Sequence, residues 1–490
     1  MADILTTIVE KRIADIKKLG MTFGFEIPEQ RQRPVHKFLS EKGVILEVKR
    51  ASPSKGDIAL DLDSAETALS YAEAGAAAIS CLTESNFFKG TLEDLMKVCA
   101  SVDKFEKETG RPAPAVLRKD FLINEEEVQI AYRAGADAVL LIARILSSEM
   151  MIKMAKKAAG YKMTSLVEVR TDEDLEKLSA LKAALSPEEK DFIVCGVNSR
   201  DLSNFKIDLL KPCSMLNKIR AILGKNARVI FESGIRTPKS ARFAGSTGFT
   251  GLLLGEAAAK APELRESLVS SFVQAKADRN SDFWMEFAEK TNANHPLVKI
   301  CGLTRAEDVI YADSLGADFT GFIFADGFER NVCGKKFEEM LPRLKNVRAK
   351  KVAVITDAQS KEAKAAVEYV KEGILDCIQL HGLEYDKVPE EMLSLPHYFS
   401  ITEKGGKLAD QAEKLFLMGE PRFLQDSKGH DYDTKRRLWL AGGVTENNAG
   451  ELIQKFQPEL IDVSGGIEDD LPGIKNQEKI KKLIEISRAI

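Results

Sequence analysis

Short apolar, β-branched runs alternate along most of this chain with longer stretches rich in Ala, Leu, Glu and Lys. That alternation predicts parallel βαβ units and an α/β fold. In the first half the predicted strands are VILEVKR from Val44, AAISCLTE from Ala77, APAVLRKD from Ala113 and AVLLIARIL from Ala138. TSLVEVR from Thr164, FIVCGVNSR from Phe192, ARVIFESG from Ala227 and GFTGLLLGE from Gly248 complete the set. Eight strands with eight intervening helical stretches in about 270 residues match a (βα)₈ barrel. An open doubly wound sheet is the competing arrangement, but the glycine-rich dinucleotide fingerprint is absent from the first turn. A charged amphipathic helix, MADILTTIVEKRIADIKK, and a Pro-containing connector around residues 31–36 precede the first strand.

The pattern lapses over residues 276–295, KADRNSDFWMEFAEKTNANH, a polar stretch expected to be helical in its middle and to act as a linker. It then restarts with PLVKICG from Pro296, DFTGFIF from Asp318, KVAVITD from Lys351 and CIQLHG from Cys377. HYFSITE from His397, RFLQDS from Arg422, LWLAGG from Leu438 and LIDVSGG from Leu460 make a second set of eight. The expectation is two consecutive (βα)₈ TIM barrels, residues 1–275 and 296–490, the second compact with short loops. No low-complexity segment or repeat between the halves stands out.

At 490 residues the length gives two or three domains, and two large ones fit best. With 71 Lys and Arg against 75 Asp and Glu, no global field steers the protein to nucleic acid or a membrane, so any anionic ligand must be captured locally. Seven cysteines without CxxC spacing argue against a disulfide framework and a zinc site and read as thiols of a reducing cytoplasm. No apolar run approaches the roughly 18 residues that span a bilayer, and the N-terminal helix lacks a signal core. The expectation is a soluble, cytoplasmic protein.

Glu47 and Lys49 lie two apart in a strand pattern and so share one face, with Leu46 and Val48 on the other. They precede the turn ASPSKG, the position where barrels place chemistry, although a buried structural ion pair would have the same pattern. Other strand ends carry Lys119, Glu168, Asn198, Arg200, and Glu232 with Ser233 and Gly234. Their recurrence at the ends of different strands favours a site, which needs an acid, a base and a cation converging on one ligand. Ser233, Gly234 and Gly255 close the last two strands before helical segments, where barrels commonly bind phosphate; Glu256 must turn its side chain away from such an anion.

The run EVKRASPSKG, with LTE at Leu82, LRKDF at Leu117, LVEV at Leu166, VNSRDL at Val197 and ESGI at Glu232, resembles indole-3-glycerol-phosphate synthase over residues 1–272. In that family a carboxyphenylamino deoxyribulose phosphate closes its ring, loses carbon dioxide and then loses water. The resemblance implies Lys119 as general acid at the substrate carbonyl, with Glu47, Lys49 and Glu168 serving proton transfer and dehydration. Crowding by Lys49 and desolvation are expected to lower the Lys119 pKa. Phe88 and Phe121 would pack on the aminobenzoate ring. Ser52, Asn198, Arg200, Glu232, Ser233, Gly234 and Gly255 would bind the remaining hydroxyls and the phosphate.

In the second half Cys301 ends VKIC and Asp426 ends RFLQD. A cysteine there is ordinarily a small core residue, but with an Asp at another strand end it could form a base and acid pair. KICGLT at Lys299, GF at Gly321, QLHG at Gln379, LQDSKG at Leu424, LAGG at Leu440 and DVSGG at Asp462 resemble phosphoribosylanthranilate isomerase across residues 296–490. By that resemblance Cys301 is the base and Asp426 the acid of an Amadori rearrangement, the thiolate requiring a lowered pKa. Arg330, in a loop FADGFERNV that departs from the family's serine-proline-arginine run, is expected to contact ligand, as are His381 and Asp462. Ser464 and the backbone of Gly465 and Gly466 would meet phosphate alongside Gly442 and Gly443.

These readings imply anthranilate-derived phosphosugars as small-molecule ligands, no metal and no organic cofactor, and leave protein partners open. Two rivals stay open: another phosphosugar isomerase or aldolase barrel, and an inactive barrel serving as scaffold or sensor. Intact Lys119, Glu168, Cys301 and Asp426 count against the second.

Overall fold

Apolar strand segments collapse here into two closed parallel barrels. The computed structural model describes residues 4–201, 203–290 and 295–489. The first three residues of the leading helix pattern, Leu202 of VNSRDL, residues 291–294 of the linker stretch and the last residue lie outside it. The chain divides into two compact units, Met1–Ala277 and Asp278–Ile490.

In the first unit β1 (Gly43–Val48), β2 (Ala78–Leu82), β3 (Ala115–Lys119), β4 (Ala138–Ile142), β5 (Thr164–Glu168), β6 (Ile193–Asn198), β7 (Val229–Glu232) and β8 (Gly251–Leu254) pair in sequence order. β8 returns to β1 with Leu252 opposite Val44, which closes the barrel. Inward-facing Ile45, Ala78, Leu117, Leu140, Leu166, Val194, Ile230 and Leu253 form one interior cluster with Phe38 and Leu39, which approach from the connector. Leu5 and Ile8 of the helix Ile4–Leu19 join the same cluster. That helix is therefore part of the barrel core rather than a solvated leader.

The second unit repeats the plan with β9 (Leu297–Ile300), β10 (Phe319–Ile323), β11 (Lys350–Ile355), β12 (Cys377–His381), β13 (His397–Thr402), β14 (Phe423–Asp426), β15 (Trp439–Ala441) and β16 (Leu460–Val463). β16 pairs with β9, Asp462 opposite Lys299. The polar stretch before it contains the helix Arg279–Lys290, whose Trp284 and Phe287 rings pack 6.0 and 5.3 Å from the ring of Trp439. Phe319 and Tyr398 crowd the same indole at 6.2 and 5.1 Å. This helix thus seals the floor of the second barrel, and burying a tryptophan of that kind is worth about 5 kcal/mol at 25 cal/mol per Å². All seven cysteines are free. Among the described residues no helix is long and apolar enough to cross a membrane.

Candidate active sites

Period-two geometry carries the first site up the strands, apolar at the floor and polar at the rim. Interior Ile45 is followed by Glu47, Leu117 by Lys119, Leu166 by Glu168, Val194 by Gly196 and Asn198, Ile230 by Glu232, and Leu253 by Gly255. Every residue proposed from the sequence for the first half lines one pocket of about 140 Å³ at this rim. Glu47 Oε1 accepts a hydrogen bond from Lys49 Nζ at 3.1 Å, and its Oε2 one from Ser80 Oγ at 3.3 Å. Lys119 Nζ stands between two carboxylates, 3.6 Å from Glu47 Oε2 and 3.7 Å from Glu232 Oε2. A Cβ at Gly196 would lie 2.0 Å from Glu232 Oε1, and one at Gly255 would lie 2.6 Å from Glu47 Oε1. Glycine at these two positions makes room for the carboxylates.

Burial alone would lower the Lys119 pKa, but Glu47, Glu232 and Glu168 outweigh it and hold the ammonium above its ordinary range. The expected fall from crowding by Lys49 is thereby reversed: three carboxylates, from β1, β5 and β7, face Lys119. Burial raises Glu168, with Lys119 opposing. Burial and then the neighbouring Glu168 push Glu232 up to about 8. The two carboxyl groups therefore share a proton at neutral pH, beside an ammonium that stays charged.

Phe88 and Phe121 stand 5.9 Å apart between ring centroids, and Lys49 Nζ lies 5.7 Å from the Phe88 centroid. Together they offer an aromatic wall with a cation at its edge. Asn198 Oδ1 accepts from the Arg200 amide at 3.0 Å. Ser233 and Gly234 both adopt left-handed backbone, φ +68° and +84°. A Cβ at Gly234 would come within 2.8 Å of Ile207 Cγ2, so glycine is required twice over. Glu256 turns to Lys260, 3.1 Å away, and to Lys55 at 3.8 Å. Sequence reasoning missed Lys55 and Arg236, which add cations to the pocket, and Ile4, Leu5 and Ile8, which roof it. The basic residue two positions beyond Gly234 was a usable signal for Arg236; the helix sequence carries none for its docking.

In the second barrel Cys301 is buried at the end of β9, and a Cβ at Gly321 would lie 2.6 Å from its Sγ. Fully buried Lys299 donates to Asp462 Oδ2 at 2.6 Å, Gln379 Oε1 at 2.6 Å and Cys301 Sγ at 3.3 Å. Gln379 is oriented by Tyr398 Oη, which donates to its Oε1 at 2.9 Å, and its Nε2 meets His381 Nδ1 at 3.3 Å. Burial raises the Cys301 thiol, with the Lys299 charge opposing, in contrast to the lowering expected from the sequence. Burial also raises Asp426 and lowers His381, and each of these two opposes the shift of the other.

Arg330 forms an ion pair with Glu468 and sits against Gly302 and Gly465, where a Cβ would come within 2.8 and 3.4 Å of its side chain. Its place at the rim is thus held without the family's serine-proline-arginine run. Gly442 has φ +96°, and a Cβ there would lie 2.6 Å from the Ser427 backbone; Gly443 follows with φ +64°. A Cβ at Gly466 would lie 1.9 Å from the carbonyl oxygen of Val444, so the loop after β16 and the loop after β15 are pressed together. Buried Lys475 donates to the Ser464 carbonyl at 3.0 Å and to Glu468 Oε1 at 2.7 Å. Lys299 and Lys475 were missed. Lys299 repeats the spacing of Glu47 and Lys49, a sufficient signal; Lys475 lies in a loop with none. Among the described residues no group of three or more His, Cys, Asp or Glu is arranged to hold a metal.

Residues 5–270 match the family model described as indole-3-glycerol phosphate synthase, and residues 298–417 and 420–486 that of N-(5'-phosphoribosyl)anthranilate (PRA) isomerase. The chain is 28% identical to a multifunctional tryptophan biosynthesis protein of Phycomyces blakesleeanus, over 99% of this chain and 69% of that protein. It is 30% identical to another, from Schizosaccharomyces pombe, over 91% of this chain and 59% of that protein. An indole-3-glycerol phosphate synthase of Prochlorococcus marinus is 39% identical over 47% of this chain and 72% of its own length. The chain thus spans 59 to 69% of the multifunctional relatives it matches.

Proposed function

Because this chain belongs to the indole-3-glycerol phosphate synthase family through residues 5–270, and its second unit matches the PRA isomerase model, we propose that it catalyses two consecutive steps of tryptophan biosynthesis. The second barrel converts N-(5-phosphoribosyl)anthranilate to the carboxyphenylamino deoxyribulose phosphate, and the first closes and decarboxylates that product to indole-3-glycerol phosphate. The observation that carries the reading is the cluster at the first rim, an ammonium held between Glu47 and Glu232 next to an aromatic wall.

In the second barrel Asp426 gives its proton to the ring oxygen of the sugar, the C–O bond opens and an iminium forms. Cys301 as thiolate takes the C2 proton; the C2–H electron pair becomes the C1=C2 bond and the iminium π pair returns to nitrogen, leaving an enolamine that tautomerises to the ketone. In the first barrel Lys119 donates to the carbonyl oxygen as the aromatic carbon attacks. Loss of carbon dioxide restores the ring electrons; the proton shared by Glu168 and Glu232 leaves with the hydroxyl as water, the adjacent N-bound methylene gives a proton back to the carboxylate so freed, and that C–H pair forms the C=C bond of the indole. The high proton affinity of that pair at neutral pH suits it to this donation. Phe88 and Phe121 support ring binding, and Ser52, Arg200, Ser233 and Gly234 support hydroxyl and phosphate binding.

Lys119→Ala is expected to abolish indole formation and leave isomerisation intact, and Cys301→Ala to do the reverse. With the full chain, isomerisation is assayed from phosphoribosylanthranilate and indole formation separately from the ketose-amine. Loss of both reactions in either folded variant would overturn the two-site assignment.

A further inference from the structure

Lys299 has no exposed surface, and an ammonium offers three donors and no acceptor. Asp462 and Gln379 take two of them at 2.6 Å each, which already satisfies a structural ion pair. The third contact reaches the Cys301 sulfur at 3.3 Å. A neutral thiol is a weak acceptor, so that contact gains most when the sulfur is an anion. Tyr398 keeps the Gln379 carbonyl turned to the ammonium, and the backbone pairing of Lys299 with Asp462 fixes the other side. Lys299 is thus held where it can answer a charge appearing on Cys301.

We infer that Lys299 is a positioning residue for the isomerisation, holding an ammonium against Cys301 so that the thiol releases its proton to solvent and the resulting thiolate takes the proton from the substrate carbon. The inference deepens the reading of Cys301 as the base of the second barrel and rests on it. The charged and titratable groups around the pair are Asp462 on β16, Lys475 and Arg330 from the loops beyond β16 and β10, and Tyr398 and Cys377, with His381 and Asp426 farther across the interior. Asp462 neutralises Lys299 while the thiol is protonated. When the thiol ionises, the ammonium faces two anions and Lys475 supplies the second cation. Lys475 is already committed to Glu468 and the Ser464 carbonyl, which leaves Lys299 as the cation in contact with sulfur.

The test is the pH profile of Cys301 alkylation by iodoacetamide in the full-length protein, read by mass spectrometry of the Cys301 peptide so that Cys333 does not interfere. Lys299→Met is expected to move the midpoint upward by at least one pH unit, to slow alkylation at least tenfold at pH 8, and to lower isomerase kcat far more than it changes KM. Lys299→Arg should recover part of both, and indole formation from the ketose-amine should be unaffected. Single removal of Lys299 strands a buried carboxylate, so Lys299→Met with Asp462→Asn is the second variant, replacing the whole pair. It too should show the raised midpoint. A midpoint equal to wild type in either folded variant overturns the inference while leaving Cys301 as base. Isomerisation surviving in Cys301→Ala instead overturns the reading beneath it.

Discussion

Glu232 is 1% exposed, and its carboxyl is raised from an ordinary 4.5 to about 8. Between those two values the folded chain keeps a proton that the unfolded chain has lost, so this group makes stability fall as pH rises through the window from about 4.5 to about 8. Glu232→Gln keeps the shape and cannot ionise. It is expected to flatten the pH dependence of Tm in that window and to slow indole formation by about 100-fold or more, with isomerisation unchanged. Thermal melts across the window and a two-product assay check both, and an unchanged slope would contradict the shared-proton reading. Alternation in the strand patterns already placed Glu47 and Lys49 on one face, and Lys119 and Glu168 stood out as polar strand ends. That pattern did not reveal the Glu168–Glu232 coupling or the direction of the Lys119 shift, because both arise between side chains of non-neighbouring strands that meet only in the interior of the closed barrel. The spacing of Lys299 from Cys301 was legible, but its Asp462 partner, 163 residues away, meets it only when the barrel closes.

The helix Ile4–Leu19 was recognisable as amphipathic, but its role comes from Arg12. This buried guanidinium donates to Asp120 Oδ1 at 2.6 Å and pairs with Glu127, while Arg118 Nη2 reaches Asp120 Oδ2 at 3.1 Å. Thr83 adds a bond of 2.5 Å to the same oxygen. The network fastens the helix over the loop that follows Lys119 and sets Leu5 and Ile8 as the roof of the pocket. A buried pair is weak evidence for stability, yet breaking one side of it typically costs about 3–5 kcal/mol. Asp120 retains Arg118, so Arg12→Ala is expected near the low end, about 3 kcal/mol. It should also raise KM for the ketose-amine and speed hydrogen exchange in residues 4–19, leaving the isomerase untouched. Unaltered exchange in that helix would show that the network does not hold it.

Each barrel closes on its own strands and has its own apolar core. The two units are therefore expected to fold separately when divided after Ala277, each with a cooperative melt and one activity. A fragment starting at Pro296, where the strand pattern restarts, lacks the helix that brings Trp284 and Phe287 against Trp439. Losing such aromatic contacts costs about 3–5 kcal/mol per residue, so that fragment should melt well below one starting at Asp278, or aggregate. Equal Tm values for the two fragments would show the helix to be dispensable. The low hydrophobicity of KADRNSDFWMEFAEK hides this role, since one apolar stripe is diluted by a charged outer face.

Local pattern carried the order of the strands, the count of eight in each half, the inward alternation and the residue types at each strand end. Those follow from covalent spacing, because a strand alternates its faces wherever it lies. Closure of the barrels supplied what depends on distance: the proton shared by Glu168 and Glu232, the cage around Lys119, the ammonium against Cys301, and the helices that roof one barrel and floor the other. These are interactions among groups far apart in the chain, whose energies vary with separation and burial and so take their values only once each barrel has closed.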